Sequence, residues 1–235
     1  MSARLPAFIR PCASYRRPDM ALTLGLSRGL ELTAPFASSA LILRHSIREA
    51  ILAGETGNNI PLTTEGRELA RILGASIASR LATITSSPIG RCTETAEHML
   101  QGAHRQMEVP TSRMLGDPGI FIADGQAAWT NFVSIGTTGV MMHLSRSHQS
   151  LPGMNNPRTA AYDLLDMMME KCEVPGLHVF VTHDVILAGA IGQLMKAVET
   201  EADLPDFLEG AFFWNDGGKI LGSYRNRTAV ISARR

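Results

Sequence analysis

A short apolar run that ends abruptly in charge is the feature that most restricts the fold of this chain. Leu41–Leu43 is followed at once by the polar stretch Arg44–Arg48. The serines before the run and the sudden polarity after it favour a central strand of a parallel sheet over a helix. Ligands of open α/β sheets bind at the carboxyl ends of such strands. Taken alone, the stretch is equally compatible with a loop histidine between surface arginines.

Two later stretches repeat this pattern. Residues 81–87 carry a β-branched centre and stop at Pro88, as a second strand would, and Arg91 follows at the start of a helix predicted from near Gly90 to Leu100. A helix start is a favourable place for an anion. Leu177–Thr182 is a further predicted strand and ends in His183-Asp184, ahead of a helix over Val185–Val198. The three strand ends are expected to converge on one face.

The remaining pattern predicts the other elements of an α/β domain. Thr64 is the expected N-cap of a helix whose apolar residues recur up to Ile77. A short strand is expected at 106–109, a helix over 161–172, and a hairpin over 212–224. We therefore predict a three-layer αβα sandwich with a mostly parallel sheet and mixed edges.

The length of 235 residues predicts one domain over residues 39–235. Residues 1–38 are rich in arginine and proline and are expected to form a weakly structured extension. Its composition resembles a transit peptide, but we prefer an extension of no special role, or a true start at Met20, and leave the segment unassigned. Residues 110–157 contain many glycines and prolines and are expected to form an insertion over the strand ends, with two short helices. His143 and His148 lie there, but no third ligand supports a metal site.

The charge balance excludes some partners. Lys and Arg number 22, as do Asp and Glu, so no overall positive field attracts nucleic acid or an anionic membrane. No apolar run approaches the ~18 residues of a membrane span. Three widely spaced cysteines indicate a reducing compartment, and we expect a cytoplasmic protein. The oligomeric state is left open.

The charged residues at these strand ends suit phosphoryl transfer. The transferred group spreads negative charge over three oxygens, so a catalyst needs fixed positive donors and one in-line nucleophile. Arginines supply forked, permanently charged donors. A neutral histidine can attack through one ring nitrogen if a hydrogen bond to the other nitrogen fixes the tautomer.

The order of these motifs resembles the histidine phosphatase superfamily, which includes phosphoglycerate-mutase-like and acid-phosphatase-like enzymes. Its signature is Arg-His-Gly after the first strand, an arginine after the second and a late histidine. The resemblance covers about residues 40–195 and includes the stretches 62–67 and 86–96. It implies that His45 is the nucleophile that forms a phosphohistidine, and that Arg44, Arg91 and His183 hold the phosphate.

Some residues depart from the family pattern or belong to one branch of it. Arg48 matches an additional arginine of the acid-phosphatase branch, whereas Ala50 stands where that branch often has proline. Ser46 stands where the family has glycine, which lets the backbone approach phosphate closely. Ser46 must therefore adopt the same conformation or contribute its hydroxyl to phosphate binding.

Two carboxylates are candidates for the acid that protonates the leaving group. Asp184 matches the His-Asp pair of the acid-phosphatase branch and is preferred, because His183 fixes it beside the phosphate. Asp117 lies where mutase-like members place a glutamate, although it could simply cap a turn before Pro118. This chemistry requires no metal and no organic cofactor.

Three functions are compatible with the sequence. The first is a metal-independent phosphatase acting on a small phosphorylated substrate or a phosphoprotein. The second is a phosphoglycerate-type mutase, which should carry extra lysines and arginines around its pocket. The only such residues in 110–157 are Arg113 and Arg146, which favours hydrolysis. The third, suggested by Ser46, is a catalytically silent module that binds phosphate or a protein partner.

Overall fold

The computed structural model describes residues 24–50, 57 and 59–234. Within those residues, six strands form one mixed sheet in the order β2-β3-β1-β4-β5-β6. The strands are β1 (Ser38–Arg44), β2 (Leu81–Ser86), β3 (Gly176–Thr182), β4 (Gly210–Asp216), β5 (Lys219–Tyr224) and β6 (Arg227–Ile231). Strand β1 is central, as its apolar sequence predicts.

Strand directions divide the sheet into two parts. β1 and β2 both pair in parallel with β3, whereas β4 pairs antiparallel with β1, β5 with β4, and β6 with β5. The α/β class is confirmed, but the prediction of a mostly parallel sheet is wrong, because antiparallel strand pairs outnumber parallel ones among the described strands. The reason is that tight turns, such as the one at Gly217-Gly218 where both φ angles are positive, join strands without a crossover helix.

Helices cover both faces of the sheet, as a three-layer sandwich requires. They are α1 (Leu24–Thr33), α2 (Thr64–Ile77), α3 (Gly90–Gly102), α4 (Gly125–Arg146), α5 (Pro157–Lys171) and α6 (Asp184–Met195). Alternate side chains of β1 enter two separate cores. Leu41 and Leu43 pack with residues of α1, α2 and α3, whereas Ile42 packs with residues of α4, α5 and α6.

The start of the described chain is more ordered than predicted. Residues 1–23 of the expected extension lie outside the described residues, but helix α1 belongs to the domain because its Leu26 is buried in the core. Gly29 allows this packing, since a Cβ there would lie 2.1 Å from a ring carbon of Phe212. The domain therefore begins before residue 39.

Other boundaries differ because local patterns do not specify pairing or packing. The N-cap of α2 is Thr63, whose hydroxyl accepts from Gly66 N, and not Thr64. The strand expected at 106–109 is absent from the described structure, where a single bridge joins Thr111 to Ser86 instead. The insertion holds one long helix, α4, kinked at Gly136, with a short 3₁₀ helix before it. None of the described helices is long and apolar enough to cross a membrane.

Candidate active site

The parallel part of the sheet brings the predicted site residues to one edge. Arg44 ends β1, the segment 87–91 follows β2, and His183-Asp184 follows β3. Backbone hydrogen bonds connect these ends directly: His45 N donates to Thr182 O at 2.9 Å, and Ser87 N donates to Val181 O at 2.9 Å. The side chains that follow the three strands therefore share one pocket.

His45 is held in a single orientation. Its ring is buried, with Nδ1 2.8 Å from Ser46 O and Nε2 2.9 Å from Arg91 Nε. A carbonyl only accepts and a guanidinium only donates, so Nδ1 carries the proton and Nε2 carries a lone pair. In this tautomer the lone pair of the ring is at Nε2.

The surroundings of His45 also keep it neutral. Burial lowers the pKa of His45 well below its ordinary value, and the nearby His183, Arg44 and Arg91 lower the pKa further. A neutral imidazole is the form that can attack phosphorus. The site therefore keeps the His45 imidazole neutral at neutral pH.

Arg91 is the hub of the pocket. Besides its bond to His45, it donates through Nη1 to Gly57 O at 2.8 Å and through Nη2 to His183 Nδ1 at 3.0 Å. It occupies the first turn of α3, which begins at Gly90. The guanidinium therefore bridges both histidines, and its donors can pass to the oxygens of an anion.

His183 is fixed by two partners. Arg91 donates to Nδ1, so Nε2 carries the proton and donates to Ser87 Oγ at 2.9 Å. Burial, followed by the charge of Arg91, lowers the pKa of His183 to about 3. The ring is 5.5 Å from that of His45, centroid to centroid. His183 is therefore a neutral residue at the pocket wall.

Arg44 and Asp184 form a partly buried ion pair at the same edge. Arg44 Nη2 lies 3.0 Å from Asp184 Oδ2, and Nη1 donates to Pro205 O at 3.0 Å. In the described part of the chain, Arg44 Nε is a buried donor without an acceptor. Because such donors normally pair in proteins, this one is suited to a ligand oxygen.

The Asp184 carboxylate is ionised in this arrangement. Burial raises its pKa, but the charge of Arg44, the contact with His183 and the bond from Val185 N outweigh burial and lower the pKa overall. An anion that competes for Arg44 would weaken this effect and raise the pKa. Asp184 is therefore placed to take up a proton when the pocket fills.

Ser46 does not point at the pocket. Its hydroxyl donates to Gly66 O at 2.7 Å, and its backbone N donates to Thr95 Oγ1 at 3.0 Å. Its φ is outside the positive range, so glycine is not required for the backbone conformation. The expected hydroxyl contribution to phosphate binding is therefore unsupported, and Ser46 instead ties the loop to α2 and α3.

The two remaining candidates border the pocket. Arg48 Nη1 donates to Glu49 O at 2.8 Å, while burial and then the charges of Arg91 and Arg44 lower the Arg48 pKa. Asp117 is exposed. Its neighbour Gly116 lies against the site, since a Cβ there would be 2.7 Å from His183 Nε2.

Two residues at the site were not predicted from the sequence. Ser87 lies inside the stretch quoted for the family resemblance, so its motif could have identified it. Phe207 has no such signal: its ring centroid is 4.0 Å from Arg44 Cζ and 5.6 Å from the His45 ring centroid. Among the described residues, no group of three His, Cys, Asp or Glu side chains could hold a metal ion.

A family comparison agrees with the motif-based expectation. Residues 40–115 match the model of the histidine phosphatase superfamily (branch 1). The resemblance predicted from the motifs is thereby confirmed over a segment that contains Arg44, His45 and Arg91 and ends before His183. A search of curated proteins found no match.

Solved structures show the same fold at low identity. Phosphoglycerate mutase from Bacillus anthracis has a TM-score of 0.53 and 16% identity, covering 83% of this chain and 92% of its own. A mycobacterial glucosyl-3-phosphoglycerate phosphatase in complex with VO3 has a TM-score of 0.52 and 16% identity, with coverage of 84% and 100%. Phosphoserine phosphatase from Entamoeba histolytica, in complex with phosphoserine, has a TM-score of 0.51 and 17% identity, with coverage of 83% and 95%. The fold therefore occurs in both mutases and phosphatases.

Proposed function

We propose that this chain, whose segment 40–115 matches the histidine phosphatase superfamily, is a metal-independent phosphatase that hydrolyses phosphomonoesters through a phosphohistidine on His45. The observation that carries the proposal is the geometry of His45. Its Nδ1 proton is committed to Ser46 O, and its Nε2 lone pair accepts from Arg91 Nε, a donor that can turn to a bound phosphate. A buried neutral histidine that contacts an arginine is equipped to attack a bound phosphate.

The first half-reaction transfers the phosphoryl group to the protein. Arg91 moves its Nε donor from His45 to a phosphate oxygen, and the Nε–H of Arg44 offers a second donor. His45 Nε2 then attacks phosphorus in line, forming the N–P bond as the P–O bond to the leaving group breaks. The departing oxygen takes the proton held by Asp184.

The second half-reaction releases phosphate. A water oxygen attacks the phosphorus of the phosphohistidine while the Asp184 carboxylate takes a proton from that water. The N–P bond breaks, and its electron pair returns to His45 Nε2. One alcohol and one inorganic phosphate have then been formed from one ester and one water.

The function is tested by trapping the intermediate. Purified protein is mixed with ³²P-labelled phosphomonoester in the presence of EDTA, quenched in alkali, and digested for mass spectrometry. We expect acid-labile label on His45 and steady-state rates that EDTA leaves unchanged, because arginines supply the positive charge that metals supply elsewhere. His178 is the internal control, since it is buried but bonded to Thr83 and Val174.

Three outcomes would contradict the proposal. Activity lost with EDTA and restored by metal would exclude the metal-independent route. Label transferred to a second site on the substrate instead of water would assign a mutase. Tight phosphate binding with neither label nor turnover would assign a silent phosphate-binding module.

We infer that Asp184, and not Asp117, donates the proton to the leaving group. Asp184 is partly buried and forms an ion pair with Arg44, whereas Asp117 is exposed and forms none among the described residues. A general acid matters most for poor leaving groups, because an alkoxide needs the proton and an acidic phenol hardly does. Asp184→Asn should therefore slow alkyl phosphates by about 10²-fold or more while slowing para-nitrophenyl phosphate far less.

Asp117→Asn is the matched control, because it makes the same change in the other carboxylate. It should slow both substrates equally and little. If Asp117→Asn instead produces the loss that depends on the leaving group, and Asp184→Asn slows both substrates alike, then Asp117 is the acid. Asp184 would in that case serve only to orient Arg44 and His183.

A further inference from the structure

The loop between α6 and β4 reaches the end of β1. Its Pro205 O accepts from Arg44 Nη1, and its Leu208 N donates to His45 O at 3.4 Å. Glu209 O accepts from Arg44 N at 2.9 Å. The loop therefore contacts the backbone of both residues at the centre of the site and the side chain of one.

Phe207 is the side chain that this loop brings to the pocket. Arg44 Cζ lies 4.0 Å from the centroid of its ring, within the range of a cation–π contact. The ring is also 5.6 Å from the His45 ring, centroid to centroid. The N–H groups of a guanidinium lie in its own plane, so a ring packed over Cζ limits how far that plane, and with it the N–H groups, can tilt.

Two polar contacts of the Arg44 guanidinium then fix its rotation. Asp184 accepts from Nη2, and Pro205 O accepts from Nη1. With these two donors committed and one face covered, the remaining buried donor is Nε. The orientation of Nε therefore depends on Phe207, Pro205 and Asp184 together.

The loop itself is held in place by Arg225. Arg225 donates to Ala202 O at 2.8 Å, to Leu204 O at 3.1 Å, and through two nitrogens to the carboxylate of Glu209. Within the loop, Phe207 N donates to Asp206 Oδ1 at 2.8 Å. The backbone that carries the aromatic ring is thus held by Arg225 and by a bond within the loop.

We propose that Phe207 is a positioning residue that orients the Arg44 guanidinium toward the phosphate. This inference rests on the proposed function, because it assigns Arg44 to the phosphate-holding group. The role is exerted through Arg44 and does not require contact between Phe207 and the leaving group. Its effect should therefore be equal for substrates with different leaving groups.

The test uses Phe207→Leu, which retains an apolar side chain but removes the aromatic face. We expect kcat/KM for two phosphomonoesters, and the affinity for orthovanadate measured by calorimetry, to fall by about tenfold. Phe207→Tyr, which restores the ring, should recover most of this loss. Phe36→Leu is the matched control, since Phe36 packs near Trp214, 5.8 Å between centroids, and should leave vanadate affinity unchanged.

A double-mutant cycle with Arg44→Lys tests whether Phe207 acts through the Arg44 guanidinium. Lysine keeps the charge but has no plane to orient, so Phe207→Leu should cost little more in that background. Additive losses, or vanadate affinity unchanged in Phe207→Leu, would overturn the proposal. Calorimetry with vanadate requires no turnover, so a protein without phosphatase activity still reports the coupling between Phe207 and Arg44.

Discussion

Replacement of His45 by alanine is expected to lower kcat for phosphomonoester hydrolysis by on the order of 10⁴-fold or more, because no other group replaces the attacking nitrogen. The fold should persist, since the buried Leu41–Leu43 run of β1 is unchanged. Steady-state rates with para-nitrophenyl phosphate, and thermal unfolding followed by circular dichroism, measure the two quantities separately. Retention of more than a small fraction of the wild-type rate would disprove the nucleophile assignment.

His178→Ala is the control for this experiment, because it removes another buried histidine, whose ring nitrogens bond to Thr83 and Val174. It should lower the melting temperature without lowering kcat of the folded protein. The wild-type pH profile adds a second check. Because the pKa of His45 is lowered, protonation of the nucleophile should not reduce kcat/KM until the pH is well below ~6.5.

The second large effect is expected from Arg91→Ala. The change removes the donor shared by His45, His183 and Gly57, so both binding of the phosphate and orientation of the histidines are affected. We expect kcat/KM to fall by about 10²- to 10³-fold, the usual loss for one transition-state donor, and inhibition by vanadate to weaken in parallel. Both follow from initial rates measured at several inhibitor concentrations.

Two further variants complete this comparison. Arg91→Lys keeps the charge but loses the fork, so its loss should be intermediate. Arg71→Ala removes an exposed arginine of α2 that bonds to Glu68 and Gln101, and it should have no effect on the rate. Inhibition constants for vanadate that do not change in Arg91→Ala would show that this arginine and His45 do not share a pocket.

The site residues that the sequence identified are those placed by the sheet itself. Arg44, His45 and His183 follow directly from buried strands, and parallel strands end at the same edge. Their convergence therefore required only the periodicity of the sequence and the direction of the strands. Arg91 was identified for a related reason, because it lies in the first turn of α3, the helix that follows β2.

Other parts of the site depend on tertiary packing that has no local signal. The direction of the Ser46 hydroxyl depends on the approach of α2, where a Cβ on Gly66 would lie 2.1 Å from Ile47 O. Phe207 lies in an irregular loop whose path depends on Arg225, which lies beyond the β4–β5 hairpin. Hydrophobic periodicity identifies helices and strands but not the paths of loops, so it could not place either residue.

The bonds from Arg225 to the loop have a consequence for the order in which the site can form during synthesis. Arg44, His45 and Arg91 are all translated long before Arg225, and the family match over 40–115 ends well before it. Until the ribosome has released the turn after β5, the guanidinium of Arg225 is not available to hold the loop that carries Phe207. A nascent chain can therefore present His45 while Arg44 is still unoriented, and phosphate turnover should reach its full rate only once the β4–β5 hairpin and Arg225 have folded.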